Sequence, residues 1–133
     1  MTNLYPSNFQ FLKRVYRDII IEDYDCDQSG RKSDSICQRK TFVFIDGSSL
    51  SITEYLKDGK IDYYFYDWYS QNKNLILKIH SESHKDKKYQ TDTEPFHIHI
   101  PTILDKKRLP NYSLRDLFSV LEFIRLFIYI KIK

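Results

Sequence analysis

Four histidines stand in this chain, and all of them, His80, His84, His97 and His99, fall between positions 80 and 99. Imidazole is the side chain whose unperturbed charge change lies nearest neutral pH, so a group of such rings can give one reaction both its base and its acid. His97 and His99 belong to the segment Pro95-Phe96-His97-Ile98-His99-Ile100. Read as a strand, its period of two sends both imidazoles to one face and Phe96, Ile98 and Ile100 to the other. Half-exposed histidines on a polar sheet face give the same pattern, and residue types alone do not separate that reading from a site. A metal is the rival chemistry, since His80 and His84 together with His97 and His99 would offer four nitrogen ligands. Against it, His80 is predicted on a strand, where residues four apart lie ~13 Å from one another.

The elements that must position these rings are clearest in the middle of the chain. Strands are predicted over Arg39–Ile45, Leu50–Leu56, Ile61–Tyr69 and Leu75–His80, joined by Asp46-Gly47, Asp58-Gly59 and Gln71-Asn72-Lys73-Asn74. Asp-Gly between β-rich runs signals a hairpin, because both central positions of a type I′ turn need positive φ. The result is an antiparallel meander in which Lys78 and His80 share a face. Leu50, Ile52 and Glu54 share another. A charged, lysine-rich loop, Ser81 to Glu94, carries His84 and leads to the strand Pro95–Ile100.

Helices are predicted at both ends. Phe9, Leu12, Val15, Tyr16 and Ile19 recur at helical intervals after Ser7, a cap candidate. The β-branched run Ile19-Ile20-Ile21 then favours a strand, and Asp23 to Asp34 reads as a loop. At the other end a helix is predicted from Ser113, its N-cap, with Leu114, Leu117, Phe118, Leu121, Ile124 and Ile128 along one face. Val120, Phe123 and Phe127 widen that stripe beyond the need of one sheet face, which suits either a partner or a deeply sunk helix. The tail from Ile128 to Lys133 alternates like a strand. The fold class is therefore α+β: a single domain over 1–133, with a curved antiparallel β-meander packed against an N-terminal and a C-terminal helix.

Composition narrows the class further. The chain has 133 residues, a net charge of +3 and 16% aromatic residues, with eleven tyrosines against three glycines. That length fits one core, and the mild basicity permits an anionic partner such as RNA. Cys26 and Cys37 are too few for a four-thiolate zinc site or a disulfide scaffold. The opening residues lack a secretory pattern, and Arg115, Asp116, Glu122 and Arg125 interrupt the apolar stretch Leu114–Ile130, against a membrane span. A cytoplasmic protein with reduced thiols is expected.

A series of short motifs then points to a family. The chain reads Asp46-Gly47-Ser48-Ser49-Leu50, Thr53-Glu54-Tyr55, Tyr64-Phe65-Tyr66-Asp67-Trp68, Leu75-Ile76-Leu77-Lys78 and Val120-Leu121-Glu122-Phe123-Ile124. In that order, from about Arg39 to Ile124, it resembles the TumE-like family of small toxins encoded beside a helix-turn-helix antitoxin. Within the family's histidine pattern only His84, His97 and His99 stand at matching positions. His80 falls where the family tends to carry an acid, which makes it the weakest candidate of the four. The tail after Ile124 departs from the usual charged ending.

The resemblance implies the toxin of a type II toxin–antitoxin pair, and RNA cleavage is the commonest activity of such small α+β toxins. Metal-independent cleavage needs a base for the ribose 2′-hydroxyl, an acid for the leaving 5′-oxygen and a cation for the developing charge. His97 and His99 are expected to be the acid–base pair, with His84 assisting from its loop and Lys78 supplying charge. No cofactor is expected. Tyr64, Tyr66 and Trp68 alternate onto one strand face, where bases can stack; ordinary sheet packing is the other reading and claims at least one of the three. Glu54 is either a base or orienter in the site or the strand's exposed end. Expected partners are the helix-turn-helix antitoxin, RNA and a second copy of the chain, with no membrane. The alternatives are a non-catalytic interaction module and a histidine-rich metal-binding protein.

Overall fold

A computed structural model describes residues 2–82, 90–101 and 108–132. His84 and the lysines at 85, 87, 88, 106 and 107 lie outside the described residues, and with them the assisting role expected of His84. The described chain runs α1 (Phe9–Val15), β1 (Ile20–Tyr24), β2 (Cys37–Phe44), β3 (Ser49–Lys57), β4 (Lys60–Tyr69), β5 (Leu75–His80), β6 (His97–His99), β7 (Leu109–Pro110) and α2 (Leu117–Ile132). The strands form one seven-stranded sheet in sequence order, antiparallel throughout.

The Asp-Gly turns sit where the sequence puts them, but only one has the expected geometry. Between β3 and β4 both Asp58 (φ 53°) and Gly59 (φ 76°) are left-handed, as a two-residue type I′ turn demands. Between β2 and β3 only Gly47 is left-handed (φ 85°), in a wider loop closed by the Phe44 amide donating to Ser48 O at 2.9 Å. The left-handed backbone favours glycine at 47, and the Gln71 side chain packs into the space its missing Cβ leaves.

Both helices pack on one face of the sheet. Leu12 and Tyr16 of the first helical segment, with Leu117, Val120, Leu121, Ile124 and Ile128 of α2, meet Phe42, Leu50, Ile52, Tyr64, Tyr66 and Trp68. Trp68 packs edge-on against Phe123 and Phe127, at 6.2 and 5.0 Å between ring centroids. Residues that widened the apolar stripe are thus partly used inside the molecule. Phe118, Leu126, Ile130 and Ile132 stay exposed.

The helix ends depart from expectation. Asn8, not Ser7, caps α1, its side chain accepting from the Phe11 amide at 3.1 Å. Ser7 is instead recruited by Glu54. At the other end Asn111 closes a turn onto the Leu114 amide, and Asp116 accepts from the Ser119 amide at 2.8 Å, so α2 starts at Leu117 rather than near Ser113. The alternating tail is helical to Ile132: docking of Ile124 and Ile128 against the sheet overrides its β-branched bias. Part of the segment expected as a loop after Asp23 belongs to β1.

Candidate functional site

Among the described residues no helix covers the opposite face of the sheet, and cross-strand register lines up its side chains in rows. One row runs Arg39, Thr53, Phe65, His80, His97; the next runs Thr41, Ser51, Asp67, Lys78, His99. Paired residues of an antiparallel ladder point to the same face, so these rows place three histidines of two adjacent strands together. Their ring centroids lie 5.6 Å (His80–His97), 5.5 Å (His80–His99) and 5.0 Å (His97–His99) apart. One nitrogen from each falls within 4.8 Å of the others.

Each ring is held differently. His80 Nε2 bonds Asp67 Oδ1 at 2.9 Å, and Phe65 meets the same ring edge-on at 4.6 Å. His97 is buried: its Nδ1 lies 3.1 Å from Pro95 O, and Arg108 Nη2 reaches its Nε2 at 2.8 Å. Arg108 Nη2 also lies 3.0 Å from Nδ1; because the guanidinium can only donate and the carbonyl only accept, the tautomer with its proton on Nδ1 satisfies both partners. Arg108 also donates to Glu82 O at 2.7 Å, and it is nine-tenths buried. Burial, then the Arg108 cation, lowers the pKa of His97 to about 3; burial, then His80, Arg108 and Lys78, lowers that of His99 to about 4. Both rings are neutral at pH 7, and of the two His99 keeps the capacity to accept a proton.

This arrangement redistributes the expected roles. His99 and Lys78 are register partners on adjacent strands. His97 joins them on that face, with its two nitrogens engaged by Pro95 O and Arg108. His80, set aside because it breaks the family's pattern, is central. Asp67 and Arg108 were not among the expected site residues. Alternation along Leu75–His80 already puts Lys78 beside His80, and pairing with the preceding strand brings Asp67 opposite them. Arg108 had no such signal, because it arrives from a connection without periodicity.

A family model described as toxin TumE matches residues 9–129. The chain belongs to the TumE toxin family. No curated protein and no solved structure matches it. Membership makes this TumE-family chain a toxin and implies an antitoxin partner. Among the described residues no helix is long and apolar enough to cross a membrane.

Four other candidates in this TumE-family chain fall on the wrong side of the sheet. Tyr64, Tyr66 and Trp68 are buried beneath the helices, closed to any base, so packing claims all three. Glu54 is fully buried on that same face. It accepts from the Ser7 amide (3.0 Å), Ser7 Oγ (2.6 Å), Gln38 Nε2 (2.7 Å) and Tyr66 Oη (2.5 Å), which ties the N-terminal segment to the sheet. Donors saturate it, and the sheet separates it from the histidines. The aromatic rings that do flank the histidine face are Tyr55, Tyr63 and Phe65, with Tyr55 and Tyr63 stacked at 4.5 Å.

Proposed function

We propose that this toxin acts by metal-independent cleavage of RNA on the open sheet face. His99, neutral and partly exposed, takes the proton of the ribose 2′-hydroxyl as the 2′-oxygen attacks phosphorus. His80, in its protonated form, keeps Nε2–H on Asp67 and delivers its other proton to the departing 5′-oxygen. Arg108 and Lys78 offset the negative charge gathering on the phosphorane, with His97 holding Arg108 in place. This revises the expected His97–His99 pair to His99 with His80. The single observation behind the reading is that three imidazoles converge beside a buried arginine, a lysine and one carboxylate.

The zinc reading has an observation of its own. Three ring nitrogens within 4.8 Å, with a carboxylate behind one of them, match the donor set and outer support of a three-histidine site without needing His84. The earlier objection concerned only the distance from His80 to His84. Yet Arg108 occupies His97 Nε2, and a guanidinium and an ammonium beside the rings favour an anion over a dication. The metal-free reading is therefore preferred.

The apolar residues exposed on α2 are the proposed contact for a helix-turn-helix antitoxin, with a second copy of the chain as the other occupant. One experiment covers both readings. Purified protein should cut single-stranded RNA in EDTA, leaving a 2′,3′-cyclic phosphate and a 5′-hydroxyl, and co-expressed antitoxin should restore growth. Cleavage abolished by EDTA and restored by zinc would transfer the site to the metal reading.

A further inference from the structure

A groove of about 280 Å³ opens on the same sheet face, between the loop after β1 and the strands β2 to β4. Asp27, Arg39, Tyr55, Phe65, Asp67 and Tyr69 are among the residues that line it. Two of them also touch the histidine cluster: Asp67 bonds His80, and Phe65 packs on the same ring. The groove therefore begins one side chain away from the reacting centre. Its volume lies just under the roughly 300 Å³ at which pockets for drug-sized ligands begin, which leaves room for one base and its sugar.

The lining speaks against a phosphate and for a base. Asp27 and Asp67 balance the guanidinium groups of Arg31 and Arg39, which leaves no excess positive charge to hold a phosphate, whereas the rings of Tyr55, Phe65 and Tyr69 give a flat heterocycle faces to lie on. Arg39 is nine-tenths buried, and its Nε–H has no hydrogen-bond partner among the described residues, with Asp27 Oδ2 3.7 Å away. A buried donor left unmade is costly, so a ligand that accepts from it gains by satisfying it. Asp27 Oδ1 is already committed to the Ser29 amide, Ser29 Oγ and the Arg31 amide, which fixes the loop and leaves Oδ2 facing Arg39. Two acceptors, Asp27 and Asp67, with one donor, Arg39, complement guanine, which sets two N–H positions next to a carbonyl oxygen, whereas uracil offers a single N–H.

We propose that this groove seats the base next to the scissile phosphate and selects guanine. Asp27 and Asp67 accept its N–H groups, Arg39 donates to its carbonyl, and the aromatic residues hold its plane. The inference rests on the RNA-cleavage reading, since it takes the phosphate to lie at the histidines.

Titrating GMP, AMP, CMP and UMP separately into the full chain tests it without requiring catalysis. GMP should bind tighter than the others by about tenfold, the discrimination one bidentate contact supplies. Thr53→Tyr, which fills the groove from a half-buried strand position, should abolish that binding, and RNA cuts by the wild-type chain should fall beside guanines. Equal binding of all four nucleotides, no nucleotide binding, or a folded Thr53→Tyr variant with unchanged GMP affinity would overturn the proposal. Failure of the cleavage reading looks different: GMP is selected, yet no RNA is cut. Cutting with no base preference would sink the groove and spare the histidines.

Discussion

The two faces of one sheet use the same residue types for opposite ends. On the helix-covered face Glu54 receives four hydrogen bonds, Tyr66 donates one of them, and Trp68 is sealed under α2. On the open face Asp67 holds a single histidine, and Tyr55 and Phe65 are half-buried beside a groove. A carboxylate saturated by protein donors and cut off from solvent is structural, whereas one that leaves capacity beside an open surface can serve chemistry. Facing, decided by alternate positions along a strand, separates the two.

Substitutions on the covered face should therefore cost stability and leave chemistry intact. Trp68→Ala removes the ring that Phe123 and Phe127 pack against, and denaturant unfolding should show a loss of about 3–5 kcal/mol. A loss below 1 kcal/mol, on the order of an exposed site, would mean α2 does not seal that face.

Glu54→Gln sharpens the contrast, since it keeps the shape and replaces acceptor capacity with an amide. Stability should drop by about 1–3 kcal/mol while the RNA cleavage rate stays at the wild-type level. A large fall in rate with normal stability would move Glu54 into the site after all.

The open face should show itself in pH dependence. Burial and the Arg108 cation lower His97 to about 3, and burial and its neighbouring cations lower His99 to about 4, against an ordinary 6.5. The unfolded chain thus binds protons that the folded chain refuses, so this stabilisation is complete above pH 6.5 and is lost as pH falls toward 4 and 3. Each ring contributes at most about 1.4 kcal/mol per pH unit in that window, less for the partly exposed His99. Unfolding at pH 6.5 and 5.5 should reveal the decline, and His99→Asn should lessen it. A profile that the substitution leaves unchanged would contradict the neutral, buried rings.

Much of the sheet was legible because its signals are local. Asp58-Gly59 fixes a turn by itself, and period-two alternation then assigns faces. Helix ends were misplaced because several adjacent residues can cap: Ser7 and Asn8 both qualify, and the buried Glu54 decides by taking Ser7. The tail Ile128–Ile132 shows tertiary docking overruling propensity. Within the site, His97 and His99 were legible from one strand, but the weight of His80 depends on register with two neighbours. Arg108 comes from a non-repetitive connection, and nothing local marks it. Whether the face holding Tyr64, Tyr66 and Trp68 is covered depends on where the helices dock, which strand alternation does not specify.

The account turns on His99 and His80 acting without metal, and cleavage of single-stranded RNA in excess EDTA tests that most directly. Wild-type protein should retain its rate, and His99→Ala and His80→Ala should each lose about 10²–10⁴-fold with unfolding transitions near wild type. Wild-type rates in both variants, or a wild-type protein silenced by EDTA, would contradict it.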